Sequence, residues 1–570
     1  MQYTSPVAVY QRQNLPLNLV ALILSYIDDI ADLARVTRTS RLLYYMTLPR
    51  LYEKVVLRSY SELRYKDNGR PEGYGSGSPF AMGLNGLVTK NVAQYVRSWQ
   101  LVGDWRESDL EDFSRGRVPD NSMMLNIAVR AAMDRMDKLA DFAWELNTKP
   151  LQTIYQGLQA NLTLQALTLK FPNTRIPRPT VVIPPMSNLR EFKALDIDPL
   201  CYPDDISVLL AHSKKLESVH LHWSPRMRDS GEESTNLTAY FGRCVANKQP
   251  LKLKKYSMIN LYTRATNIDL DELIDVNALE EISFINCNTQ DAITVFIDDT
   301  WRLFEPQKVP KYLKMMRGDV LDAKQAAVMA QLKGLEKLYI VNAKRRPTRA
   351  TPNGVSPAAN NNIHNAFAGI GSDGNSQSPF MPGNGPDTPM SRESATIAGD
   401  YLAAITRHLG KSLKHLLLSD QWLLGGEVLV QLGRACPHLE QLGVALEEKN
   451  PENMRQLLKH LPRLWALRIL IRATTQELEL MQSISGNLHE QVISFELRRK
   501  EWDGLKYLGI GDMVFLCGGV REVPGASTPK SPVDPTMGEE LGVRRIVKKV
   551  DKEAVKDVEI WKMDSMDIVT

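Results

Sequence analysis

The chain is predicted to be an α/β protein in which a short, all-helical N-terminal segment precedes a long, curved solenoid of strand-helix units. Two observations predict the solenoid: a Leu-x-x-Leu-x-Leu spacing, with other large apolar residues substituting, recurs from Val96 to Ile510, and helical runs lie between its copies. A third predicts the helical segment. Between Leu15 and Leu57, apolar residues return at helical spacing three times, each time bounded by capping or turn residues.

Composition narrows the class. With 570 residues, 43% hydrophobic and 24% charged, the chain has a normal globular balance and room for several domains or one repeat array. Its 70 basic residues nearly match 66 acidic ones, and a net charge of +4 is too small on this length to indicate nucleic acid or an anionic membrane as partner. Met1 to Gln13 has no apolar run behind a basic start, and no apolar run reaches membrane length, so neither secretion nor membrane insertion is expected. Cys201, Cys244, Cys287, Cys436 and Cys517 are odd in number, far apart and never in a C-x-x-C pair, which indicates neither a disulfide framework nor a zinc site. A reducing compartment, cytoplasmic or nuclear, is expected, where the Asn-Leu-Thr sequons at Asn161 and Asn236 carry no glycan.

Residues 1–12 read as a flexible tail and 13–58 as the helical segment. In its first helix Leu19, Leu22, Ile23, Tyr26 and Ile27 have the spacing of one buried face, with Pro16 in the first turn, where its missing N–H is not needed. Val20 and Leu24 add apolar surface on the flank, more than so small a domain hides in its own core. After a turn at Asp28-Asp29, Asp29 and Asp32 are spaced as an acidic capping pair for a second helix through Leu33 and Val36. Thr37, Thr39 and Ser40 offer caps for a third helix, with Leu42, Leu43, Tyr45, Met46 and Leu48 on its apolar face and Pro49 as its stop. Three short helices without a cysteine make a marginal core, so the excess apolar surface predicts a protein partner.

Val55 and Leu57 then alternate as a strand, and the Gly/Pro/Ser-rich stretch from Gly69 to Gly86 reads as a loop. The repeat array is placed at 59–519. Its copies include Val96/Trp99/Leu101, Leu139/Phe142/Trp144, Leu164/Leu167/Leu169, Phe192/Leu195/Ile197, Leu216/Val219/Leu221, Leu253/Tyr256/Met258, Leu335/Leu338/Ile340, Leu439/Leu442/Val444 and Leu505/Leu508/Ile510. Several successive copies start 24 to 28 residues apart, the period of leucine-rich repeats, in which each unit buries its leucines only against its neighbours. Asp204 to Lys214, Gly426 to Cys436 and Pro451 to His460 are the clearest intervening helices. A dozen strands would line an inner face on the order of 50 Å long.

The segment 342–395 interrupts the array with Lys344-Arg345-Arg346, a run from Ala358 to Asn362 and few large apolar residues, a composition that cannot repay its ordering entropy. It is expected to be disordered. Residues 520–570 read as a linker, weak in composition up to Leu541, followed by two cap strands at Val543 to Val550 and Val555 to Trp561.

Catalytic and metal-binding patterns are scarce. Gly369 to Gly374 has a G-x-G-x-x-G spacing, but no strand precedes it and no helix follows, so it reads as composition rather than a phosphate cradle. His220 and His222 project from one side of a predicted strand without a third ligand in reach, which fits polar positions on the inner face better than a metal site. Acidic pairs such as Glu232-Glu233 and Glu447-Glu448 lie in predicted loops. Lys344-Arg345-Arg346 reads equally as a nuclear-import signal or a solvated loop, and Thr351-Pro352, Ser356-Pro357, Ser378-Pro379, Thr388-Pro389, Thr528-Pro529 and Ser531-Pro532 as Pro-rich linker or phosphoacceptors. No enzyme, cofactor or metal is expected.

Leu15-Pro16, then Leu19, Ile23-Leu24, Ile27, Asp32-Leu33, Val36 and the closing Leu51-Tyr52 resemble the F-box, the motif by which substrate receptors dock on the Skp adaptor of cullin-RING ubiquitin ligases. The resemblance covers Leu15 to about Leu57 and lacks the family's usual tryptophan near the end of the motif. Joined to irregular repeats, it is similar to the F-box, leucine-rich-repeat class of SCF receptors. The resemblance implies a non-catalytic subunit of ubiquitin-dependent protein degradation. Its partners would be the Skp adaptor, through it a cullin and a RING subunit, and a protein substrate. Adaptor contact is expected from Leu15, Pro16, Leu19, Ile23, Ile27, Leu33 and Val36. For the substrate, strand pleating points Gln100, Thr168, Lys170, Asp196, Asp198, His220, His222, Ser257, Tyr339 and Arg468 to the inner face. The alternative reading of the same pattern is a repeat scaffold without a ligase role, whose N-terminal helices only cap the array.

Overall fold

The computed structural model describes residues 15–62, 64–65, 69, 71, 78–107, 109–172, 176, 178–230, 232, 237–261, 273–287, 309–319, 323–341, 392–447, 450–471, 490, 493–522, 543–565 and 568. The chain forms two compact units, Met1–Leu251 and Lys252–Thr570, each mixed α/β and built on an open, mostly parallel sheet.

In the first unit, three short helices, α1 (Leu17–Ser25), α2 (Ile30–Val36) and α3 (Arg41–Leu51), lead into the sheet. Their starts follow local chemistry: the Asp29 side chain accepts from the Ala31 and Asp32 amides, and Ser40 Oγ accepts from the Leu43 amide at 3.2 Å. Pro49 does not stop α3, which runs on to Leu51; a proline in a last turn disturbs little of the ladder. Strands β1 (Lys54–Ser59), β2 (Ser98–Gly103), β3 (Asp141–Leu146), β4 (Ala166–Lys170), β5 (Glu191–Ile197) and β6 (Ser218–Trp223) then pair in parallel in chain order. Parallel neighbours need a crossover, and α4 (Pro79–Thr89), α5 (Asp120–Met133), α6 (Gln152–Ala160), α7 (Ser207–His212), α8 (Pro225–Asp229) and α9 (Leu237–Ala246) lie in these connections and after β6. Helix α4 corrects the reading of Gly69 to Gly86 as a loop: Ser78 caps it, Pro79 opens it, and Phe80, Leu84 and Leu87 bury its inner side. Glycine-rich composition hid these three apolar positions.

The repeat leucines form the core between strands and helices. Val96, Trp99, Leu101, Leu139, Phe142 and Trp144 are completely enclosed, with the Trp99 and Phe142 rings edge-on at 5.5 Å. One repeat was read out of register. Leu189, Phe192 and the small Ala194 stand at the repeat positions, and Leu195 is half-buried; Ile197 is buried as expected, but only beyond the left-handed Asp196 (φ 55°), where the pairing of β5 with β6 shifts. At the end of β2, Gly103 (φ 103°) lies so close to the Ser59 carbonyl that a Cβ would strike it.

In the second unit, β7 (Lys255–Ile259), β8 (Glu281–Ile285), β9 (Met315–Gly318), β10 (Lys337–Ile340), β11 (His415–Leu417), β12 (Leu423–Leu424), β13 (Gln441–Leu446), β14 (Ala466–Leu470) and β15 (Tyr507–Ile510) are parallel, with both β11 and β12 on β13. Strand β9 is a repeat that the Leu-x-x-Leu-x-Leu spacing missed: its core residues are Leu313 and Met316, and Gly318 stands at the third position. Helices α10 (Ala323–Met329), α11 (Arg392–Ala404), α12 (Gly426–Ala435) and α13 (Pro451–Leu458) accompany the strands, the last two at the helical runs read from the sequence. Strands β7 and β8 are each followed by a left-handed asparagine, Asn260 and Asn286, whose side chains hydrogen-bond at 2.8 Å.

The sheet then reverses. Strand β16 (Met513–Glu522) pairs antiparallel with β15 and β17 (Val543–Val550) antiparallel with β16, and Arg545 staples β17 by donating to the Gly518 carbonyl at 2.8 Å and the Leu505 carbonyl at 2.6 Å. The second expected cap strand, Val555 to Trp561, is instead a 3-10 turn (Lys552–Val555) and a one-turn helix, α14 (Glu559–Lys562). The N-terminal tail, most of the insertion (342–391), Lys344 to Arg346, the glycine motif at 369–374 and the six Ser/Thr-Pro pairs lie outside the described residues.

Candidate interaction surfaces

Helix α1 buries the opposite side from the one expected, whereas α2 and α3 bury Leu33 and Leu48 of the expected faces. Leu24 of α1 and Leu33 of α2 are enclosed, whereas Leu15, Leu19, Leu22, Ile23, Tyr26 and Ile30 are between 42% and 77% exposed. Arg50 fixes this arrangement from α3, its guanidinium donating to the Leu24 carbonyl and, at 3.0 Å, to the Ile27 carbonyl, beside the end of α1. Of the expected adaptor contacts, Leu15, Pro16, Leu19 and Ile23 lie on the exposed surface and Ile27 and Val36 are half-buried. Leu33, 3% exposed, is corrected to a core residue of the helices.

On the face of the first sheet turned away from its helices, strand register lines up Val56, Gln100, Ala143, Thr168, Lys193 and His220. Gln100, Thr168 and His220 of the expected inner-face residues share this column. Lys193 was missed and belongs between Thr168 and His220, for the same register reason that displaces Asp196. The polar groups here engage one another: Gln100 Nε2 donates to Glu145 at 2.7 Å, Lys193 pairs with Glu191 at 2.6 Å, and Ser218 Oγ lies 2.8 Å from His220 Nε2. Asp196 lies 3.2 Å from His222 Nδ1 and 3.7 Å from Lys170 Nζ. Burial pushes the Asp196 carboxyl up, but hydrogen bonding and charge from His222 and Lys170 outweigh it and hold the group below the usual carboxylate range. Asp198 is buried in an ion pair with Arg226, which corrects its placement as an open contact residue.

Beyond these strand ends sits a cluster of buried charges invisible to sequence reading. Arg178 pairs bidentately with Glu107, one bond at 2.9 Å, while its guanidinium lies 4.2 Å from the Phe113 ring centroid. Next to it Lys149 pairs with Asp204 and donates to the Pro179 carbonyl at 2.7 Å. Burial pushes the Asp204 carboxyl up to about 6 against the pull of Lys149, and lowers Lys149. Glu107 and Arg178 are 71 residues apart, a separation over which no local spacing speaks.

In the second unit the corresponding face is covered. The column Ser257, Ser283, Arg317, Tyr339, Leu417, Gly443, Arg468 and Gly509 runs across the strands, and the segment after β17 lies over most of it. Glu559 accepts from Lys337 Nζ at 2.7 Å, His415 Nδ1 at 2.7 Å and the Tyr339 hydroxyl. Arg468 pairs with Asp564 at 2.8 Å and donates to the Ile560 carbonyl at 3.2 Å. Arg317 donates to the Ser283 hydroxyl at 3.2 Å and the Met563 carbonyl at 2.8 Å. Val555, Val558 and Ile560 join Tyr339, Leu417 and Ala466 in one buried cluster. Tyr339 and Arg468, expected on an open inner face, therefore face the chain's own C-terminal segment, and Ser257 is 3% exposed.

Among the described residues no three or more His, Cys, Asp or Glu side chains converge as a metal site, and no helix is long and apolar enough to cross a membrane. All five cysteines are buried thiols. No protein-family model matches the chain, and no curated protein is significantly similar to it.

Proposed function

We propose that this chain is a non-catalytic substrate receptor of a Skp–cullin–F-box ubiquitin ligase, with an F-box on α1 to α3 and a curved leucine-rich-repeat solenoid in the strand-helix array. The observation that supports this reading is the apolar surface of α1 and the start of α2. Leu15, Leu19, Leu22, Ile23, Tyr26 and Ile30 stand in solvent on a helical trio held together by Leu24, Leu33 and Arg50, and a soluble protein rarely leaves such a surface without a partner. Of the residues that resemble the family's adaptor contacts, Leu15, Pro16, Leu19 and Ile23 belong to this exposed surface. The open polar column of the first unit, with Gln100, Thr168 and Lys193, is then the surface offered to a protein substrate. A receptor of this kind works by placement, raising the effective concentration of substrate near the charged ubiquitin carrier, and needs no reacting group of its own.

The test is capture of a purified Skp adaptor by the full chain. Stoichiometric capture is expected. Leu19→Asp with Ile23→Asp should weaken it at least about a hundredfold, two central contacts at about 2 kcal/mol each, while the melting temperature stays near wild type. Undiminished capture by the double variant would sink the adaptor assignment.

A further inference from the structure

The C-terminal segment meets the second sheet as a ligand meets a site. Among the described residues the backbone–backbone hydrogen bonds of Asp551–Met563 are local, and strand side chains read the segment's groups one by one. Lys337, Tyr339 and His415 converge on the Glu559 carboxylate. On β13, Gln441 Oε1 accepts from the Ile560 amide at 3.0 Å, and on β14 Arg468 takes the Ile560 carbonyl and the Asp564 carboxylate. Trp561 lies over Gly509 of β15, where an added Cβ would come within 2.6 Å of the indole. The charges are complementary, Arg317, Lys337 and Arg468 on the strands against Glu559 and Asp564 on the segment. A segment without a backbone ladder to the sheet opens at lower free energy than the sheet itself.

We propose that this face is a peptide-binding site for a short acidic-aromatic motif, Glu-Ile-Trp followed by a second carboxylate three residues on. The chain's own C-terminus occupies it in cis, and a partner protein carrying such a motif binds by displacing that segment. The proposal goes beyond the receptor reading and stands on the second unit alone, so adaptor capture and peptide binding fail or succeed separately.

The probe is a fluorescein-labelled synthetic peptide spanning Asp551 to Ile568, titrated by anisotropy into full-length protein. The wild-type chain, its site filled, should bind weakly. Glu559→Lys with Trp561→Ala in the chain, which releases the segment, should bind the same peptide at least tenfold more tightly, and a peptide carrying Glu559→Lys should not bind. Adding Arg468→Glu to the released chain should abolish binding, and a peptide with Asp564→Arg should restore it. Should the released variant misfold, a protease site placed between Val550 and Asp551 and cut in the folded chain gives the same exchange measurement. Equal affinity of the released or cut chain for native and scrambled peptides, or no binding at all, would overturn the proposal.

Discussion

The two ends of the chain handle apolar surface in opposite ways. At the N-terminus Leu19, Ile23 and Tyr26 are left in solvent, and at the C-terminus Val555, Val558 and Ile560 are folded under cover. The two sheets differ correspondingly. In the first, polar side chains on the face away from the helices pair with their strand neighbours, as Gln100 does with Glu145; in the second, the equivalent positions pair with the C-terminal segment, as Arg468 does with Asp564. The same place on a pleated strand is thus a surface or an interior depending on what the rest of the chain delivers to it. Burial at a repeat position says nothing about substrate until the occupant of the face is known.

The sharpest way to break this contrast is to place one charge at each end. Ile560→Asp buries a carboxylate at a fully enclosed position and should destabilise the second unit by about 3 kcal/mol or more, whereas Ile23→Asp, 55% exposed, should change stability by no more than about 0.5 kcal/mol. Chemical denaturation of the two variants measures both. Equal costs would erase the distinction between the ends.

Two carboxylates sharpen it through pH. Burial works to raise Glu559, but hydrogen bonds from His415, Lys337 and Tyr339 outweigh it and hold the group well below the usual carboxylate range. Its contribution is therefore complete above the unfolded glutamate pKa and lost as pH falls below it. Asp204 has the opposite sign. With its folded pKa pushed up from 3.8 to about 6, the folded state keeps a proton that the unfolded chain has released, so stability declines as pH rises across that window. Melting curves from pH 3 to 7 should show the acid-side loss disappear in Glu559→Gln and the decline toward neutrality disappear in Asp204→Asn, each effect on the order of 1 kcal/mol. The smallest expected change is at Lys314, whose pair with Glu280 at 2.7 Å is largely in solvent: Lys314→Ala should shift the melting temperature least of the set, and less still at high salt.

Much of the architecture was legible because its signals are local. Asp29 and Ser40 cap the helices they were read to cap, and Val96, Trp99 and Leu101 enter the core as their spacing predicts. The misreadings are local too. Ala194 at a repeat position disguised the register of β5, Gly318 disguised β9, and the glycines before Thr89 disguised α4. The exposed side of α1 was misjudged for another reason: a helix apolar around most of its circumference does not say which stripe turns inward, and Arg50 from α3 contributes to that choice.

The sequence by itself determined the order and kind of elements, since helix and strand periods, caps and repeat spacing act within a few residues or one repeat. Only the tertiary structure decided which surfaces are free. Glu559 meets His415 across 144 residues, and Arg178 meets Glu107 across 71. Such contacts depend on a hydrophobic segment finding one of many apolar faces. That choice is made by the packing of the whole unit rather than by any motif within it.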